Sequence, residues 1–192
     1  MNKRMTRSAQ TTFNVREAGD KIFIEGYFAV FNKRYEIYEG CAETILPGAF
    51  SETLDSDIRA LLNHNTDIVL GRNKAGTLTL REDDYGLYGS IEINKADSDA
   101  MNLYARVQRG DVTQCSFGFE ILNETYESDS EGNVLWKIAK VKLYEVSVVT
   151  FPAYEDTIVQ ARKNDFANIQ KRKLDDWKQK QLQKLKGEQK NA

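Results

Sequence analysis

The chain has 192 residues, 41% hydrophobic and 29% charged, which suits one globular domain of ordinary size with an appendage. Its net charge of -2 argues against nucleic acid as the main partner, because phosphate binding needs a basic excess. No run approaches the roughly 18 apolar residues of a membrane span, and none follows the basic start, so neither a span nor a secretory signal is expected. A cytoplasmic location is the default that follows.

Charge is unevenly placed. From Asn164 to Ala192 there are 8 basic against 4 acidic side chains, while the remainder holds 19 against 25. Residues 1–12 read as a flexible basic leader, 13–163 as the folded body and 164–192 as a polar helical tail. Cys41 and Cys115 stand far apart in no metal-ligand spacing and fit buried thiols of a reducing compartment.

In chain order, FNVREAGDKIFIEGYFAVFN predicts a hairpin around EAGD, with Ile22, Ile24, Gly26 and Phe28 on one face of the second strand. A loop with Tyr35 and Cys41 follows, then ETILPGAFSETL, where Pro47 and Gly48 break the chain and a short helix can start. DIRALLNHN fits a strand with Ile58, Ala60, Leu62 and His64 on one face, although the helical spacing of Leu54, Ile58, Leu61 and Leu62 also fits. GTLTLREDDYGLYGSIEIN is a second hairpin with DDYG at its tip. The firmest helix has Asp97 or Ser98 as its cap, Ala100, Leu103, Tyr104 and Val107 as its apolar stripe, and Gly110 at its end. QCSFGFEIL, the turn ESDSEGN and LWKIAKVKLYEVSVVTFPA then give two long strands. From Asp165 the pattern is helical and weakly amphipathic. The sum is a mainly β (α+β) fold, expected as an antiparallel β-barrel with a few flanking helices and a helical C-terminal tail.

His64 is the only histidine in the chain, so any serine-type site must include it. A surface or capping histidine is the plain alternative. Ser116 is the serine candidate: alternation buries Cys115, Phe117, Phe119 and Ile121 and leaves Gln114, Ser116, Gly118 and Glu120 opposite, with Gly118 opening room beside the hydroxyl. From this segment alone an ordinary strand serine beside a bulge glycine is the better reading, and Cys115 as nucleophile is disfavoured because it turns toward the core. Glu145 shares a face with Leu143, Ser147 and Val149, and a carboxylate there wants a partner, either a histidine or a Lys/Arg salt bridge. Asp67, Glu43 and Glu120 compete for the acidic role, although Glu120 lies four residues from Ser116, roughly 13 Å along a strand. There is no phosphate-cradling glycine loop and no cysteine–histidine metal spacing, so neither cofactor nor metal is expected.

Taken together and in order, IEGYFAVFN, ETILPGAF, LLNHNTDIVLGR, VQRGDVTQCSFGF and LYEVSVVTFPA resemble the prohead maturation proteases of tailed bacteriophages, which are related in fold to the herpesvirus assembly proteases. The resemblance covers roughly residues 13–160. It implies a serine endopeptidase with His64 as base, Ser116 as nucleophile and Glu145 as the acidic third member. Cys115 departs from the small or aliphatic residue expected there. Arg72 and backbone amides near Gly118 are candidates for the oxyanion hole. The implied partners are capsid and scaffold proteins inside the immature shell within the host cytoplasm, with self-association allowed for and the tail removable by self-cleavage. A catalytically inactive assembly module of the same fold is the competing reading, and a small ligand-binding β-barrel is a third.

Overall fold

A computed structural model describes residues 5–10, 13–151 and 156–188. Both expected hairpins form. Strands β2 (Asn14–Ala18) and β3 (Lys21–Val30) pair antiparallel around Gly19, which takes the positive φ of 59° that the turn requires. Ile22, Ile24 and Phe28 of β3 are buried on one face, as period-two alternation demands. Strands β8 (Leu78–Glu82) and β9 (Gly86–Ile93) form the other hairpin, and Asp83 accepts bonds from the Tyr85 and Gly86 amides at its tip. The four strands make one antiparallel sheet in the order β2-β3-β9-β8.

Helix α1 (Ser98–Arg109) has the expected ends and face. Asp97 accepts from the amides of Asp99 and Ala100, Gly110 closes the helix at φ 86°, and Ala100, Leu103, Tyr104 and Val107 are buried.

Among the described residues the second sheet has seven strands: β1 (Met5–Gln10), β4 (Tyr35–Tyr38), β5 (Cys41–Ile45), β6 (Arg59–Leu62), β7 (Asn65–Arg72), β10 (Gln114–Ser128) and β11 (Val134–Val149). β10 and β11 form the long expected hairpin, capped by Asp129, which accepts from the Glu131 and Asn133 amides. One continuous apolar cluster joins this sheet, the other sheet and α1 through residues such as Ile24, Phe28, Ile91, Leu103 and Phe117.

The expected closed antiparallel barrel is not found; the sheets are open, and the larger one is mixed. β11 is 16 residues long and takes two partners in parallel, β5 along Val134–Ile138 and β6 along Glu145–Val148. The sheet therefore branches at β11 instead of returning to β1. Hairpin patterns in a sequence reveal only neighbouring antiparallel pairs, and a parallel pair needs a long crossover that leaves no local signature.

Other segments also differ from the sequence reading. Met5–Gln10, assigned to the leader, pair antiparallel with β10 as β1. The loop with Tyr35 and Cys41 contains β4 and β5, and every residue of β5 is buried, so it lacks the alternation that marks a strand. The segment after Pro47 forms consecutive turns rather than a helix. Strand β6 stops at Leu62, which leaves His64 beyond the strand. Helix α2 (Asp156–Glu188) begins before the tail boundary, and its Arg162 and Ile169 are buried while Leu174 and Trp177 are exposed. No described helix is long and apolar enough to cross a membrane.

Candidate active site

His64 and Asn63 are the two central residues of the tight turn joining β6 to β7, with Leu62 and Asn65 paired on either side. Both have positive φ, 51° for Asn63 and 59° for His64. Two such residues make the primed hairpin turn whose twist matches its strands, and Asn is among the residues that adopt it most easily. The turn is bound to the end of β11. The Asn63 amide donates to the Val148 carbonyl at 3.0 Å, and Asn63 Oδ1 accepts from the Thr150 amide at 2.8 Å. The His64 amide donates to Ser147 Oγ at 3.3 Å. The imidazole thus projects from a fixed corner.

Glu145 owes its direction to a bulge. In the β10–β11 ladder Gly118 faces Glu145 while Phe119 faces Leu143, so Tyr144 is an extra residue. The bulge resets the alternation: Leu143 lies in the main core with Val146 and Val148, and Glu145 takes the opposite side with Ser147. The expected common face of Leu143 and Glu145 does not occur for this reason.

Glu145 is 2% exposed and its two oxygens are both engaged. Oε1 lies 2.7 Å from His64 Nδ1, and Oε2 accepts from Ser147 Oγ at 2.7 Å. A carboxylate on Nδ1 fixes the tautomer with the proton on that nitrogen and leaves Nε2 with a free lone pair. Nε2 is buried and has no hydrogen-bond partner among the described residues.

Ser116 on β10 is directly opposite Ser147 of β11, so the two side chains share the face that carries Glu145. Ser116 is fully buried, and its Oγ donates to the Arg7 carbonyl of β1 at 3.0 Å rather than to His64. Cys115, next to it, points into the core, where its Sγ donates to the Tyr27 carbonyl at 3.2 Å.

The competing acids are occupied elsewhere. Asp67 is exposed on β7, and Glu120 accepts from the Tyr144 hydroxyl at 2.8 Å. Glu43 is 1% exposed and lies between two guanidiniums: Arg7 of β1 (Nε–Oε2 2.5 Å) and Arg162 of α2 (Nε–Oε1 2.6 Å). Burial by itself would raise the Glu43 pKa, but the two arginines outweigh it and hold the group below the ordinary carboxylate range. Arg162 also pairs with Glu124, at 3.0 and 2.7 Å. Arg72, a candidate for the oxyanion hole, is instead paired with Asp57 through Nε at 2.7 Å.

Beside Glu145 a groove of about 290 Å³ runs between Arg59, Leu61, Thr66 and Val69. It adjoins the acidic end of the His64–Glu145 pair.

Two participants escaped the sequence reading. Ser147 was legible in principle, two residues beyond Glu145 on the same strand. Arg7 was not, because nothing local tells residues 5–10 that they will lie along β10.

The turn after β6 and the strand β11 thus bring a histidine and a carboxylate into contact, with Ser116 on the sheet face that carries Glu145. The sequence profile of the caudovirus prohead serine proteases matches residues 10–172, and the chain belongs to that family. It is 32% identical over 150 residues to the prohead protease of Enterobacteria phage HK97, covering 76% of this chain and 62% of that protein. The chain thus spans under two thirds of that relative's length. In fold it resembles the bacteriophage T4 capsid assembly protease, gp21, with a TM-score of 0.51 and 11% identity over 77% of this chain and 97% of that one.

Proposed function

We propose that the chain is a serine endopeptidase of phage capsid maturation, with Ser116 as nucleophile, His64 as general base and Glu145 as the acid that orients the imidazole. The observation that carries the reading is the 2.7 Å contact between Glu145 Oε1 and His64 Nδ1, with Nε2 left unbonded among the described residues. The family membership and the HK97 relative support the same activity.

In this mechanism the Ser116 hydroxyl turns from the Arg7 carbonyl and passes its proton to His64 Nε2 as Oγ bonds to a peptide carbonyl carbon. Glu145 stabilises the imidazolium. His64 then returns the proton to the departing amine, and water repeats the sequence to free the acyl group. Ser147 is a positioning residue, holding both the carboxylate and the His64 backbone. The substrates proposed are capsid and scaffold proteins within the immature shell, and release of the tail from near residue 164 is part of the same proposal.

The covered state of Ser116 is what favours the second reading, an inactive assembly module. Co-expression with the capsid protein separates the two. Wild type should process it, and Ser116→Ala should slow processing by several orders of magnitude, since triad members act as a unit. Equal processing by both would sink the serine assignment, and none by either would favour the inactive module.

A further inference from the structure

The Ser116 hydroxyl is closed off by one strand. Among the described residues β1 pairs with β10 alone, residue for residue from Gln10 opposite Gln114 to Met5 opposite Phe119, with Ser8 facing Ser116. An extended chain laid antiparallel along an edge strand is how many proteins bind peptides, the backbone supplying affinity and alternate side chains specificity. Here the carbonyl oxygen of Arg7 accepts the Ser116 Oγ bond at 3.0 Å, so a main-chain carbonyl of the strand on this edge lies beside the hydroxyl.

From this we infer that the edge of β10 along Gln114–Phe119 is the peptide-binding strand of the site, and that β1 is its resident occupant, a displaceable plug. The partner that fits is an extended polypeptide segment, which takes the place of Met5–Gln10 and brings one of its carbonyls to where Arg7 now stands. The inference rests on the reading of Ser116 as nucleophile.

The way β1 is fastened suits a strand that can leave. One of its buried fastenings is the Arg7–Glu43 pair, and removing one partner of such a pair ordinarily strands a charge at considerable cost. Glu43 keeps Arg162 at 2.6 Å, so its carboxylate retains a cationic partner after Arg7 departs. The ladder bonds lost from β10 are restored by the incoming strand. Because β10 is still paired with β11 on its other side, withdrawal of β1 exposes an edge without splitting the sheet.

The test is the rate at which a fluorophosphonate labels Ser116, followed by intact mass. A chain lacking residues 2–10 should label at least about tenfold faster than the full chain, as expected if the edge is free about a tenth of the time or less. A synthetic peptide of residues 1–12 at millimolar concentration, comparable to the effective concentration of a tethered segment, should reverse the gain. Arg7→Gln in the full chain, which leaves Glu43 with Arg162, should raise the rate severalfold even where the truncated chain folds poorly. Unchanged or slower labelling in both variants overturns the plug, as does a gain that the peptide does not reverse. Failure of the nucleophile assignment looks different, because Ser116→Ala would then retain labelling in every background.

Discussion

Ser147 donates its hydroxyl hydrogen to Glu145, two residues behind it on β11, while its oxygen accepts the His64 amide at 3.3 Å. One side chain thereby ties the carboxylate to the turn that carries His64. Glu145→Gln should reduce kcat by about 10²–10⁴-fold, because an amide no longer enforces the tautomer. Ser147→Ala should have a smaller effect on kcat, about tenfold, together with a loss of roughly 0.5–3 kcal/mol from the hydrogen bond to a buried charged group that it removes. Steady-state cleavage and urea unfolding of the two variants check this ordering; a Ser147→Ala enzyme as impaired as Glu145→Gln would contradict it.

The turn itself makes a second prediction. Asn63 holds a left-handed conformation and accepts from the Thr150 amide at 2.8 Å. Asn63→Ala should cost about 1–2 kcal/mol from the backbone penalty and also lower activity, since His64 is the next residue. Asn63→Gly should recover the backbone part only. If both variants unfold at the wild-type urea midpoint, the turn geometry is not strained as described.

Glu43 sets a pH dependence. Its folded pKa lies below the ordinary value, so the stability it lends is full above about pH 4.3 and is lost as pH falls through the lower folded value. Glu43→Gln should cost about 3 kcal/mol at pH 7, where it leaves Arg7 and Arg162 facing an amide. The gap from wild type should narrow as the pH drops toward 3, and a gap of constant size in acid titrations of both proteins would refute the assignment.

Both cysteines are fully buried, and burial pushes the Cys41 thiol above its usual pKa. Neither should react with a thiol reagent in the native protein at neutral pH, and both should react in denaturant. Rapid native labelling of Cys115 would mean that the inward face of β10 is open.

The two halves of α2 should differ under truncation. Ending the chain after Lys173 removes Leu174 and Trp177, 51% and 58% exposed, and should change stability by less than about 0.5 kcal/mol. Ending it before Arg162 takes away a partner of Glu43 and Glu124 together with buried Ile169, and should cost about 3 kcal/mol or more. Thermal melts of the two truncations distinguish these outcomes.

What the sequence revealed was local. Alternation identified β3 and β9, and capping chemistry gave both ends of α1. The uniqueness of His64 directed attention to its segment, and a carboxylate in an apolar strand singled out Glu145, which lies 2.7 Å from it. Non-local features left no such trace. The Tyr144 bulge that aims Glu145 arises from the pairing of β11 with β10, and the fully buried β5 carries no polar face to read. The strand over Ser116 belongs to a segment whose composition suggests only a basic leader. These depend on partners tens of residues away, which periodicity within a window does not sample.

The parallel contacts of β11 also bear on timing. His64 and Glu145 are 81 positions apart, and Glu145 reaches the turn only when β11 lies beside β6. Pairings of that separation are slow to nucleate, because the loop entropy is lost before any contact compensates it. A nascent chain emerging at roughly 5–20 residues per second holds its histidine outside the ribosome for several seconds before the carboxylate follows. During synthesis, therefore, the chain presents its imidazole for seconds before the carboxylate that will sit against it has been made.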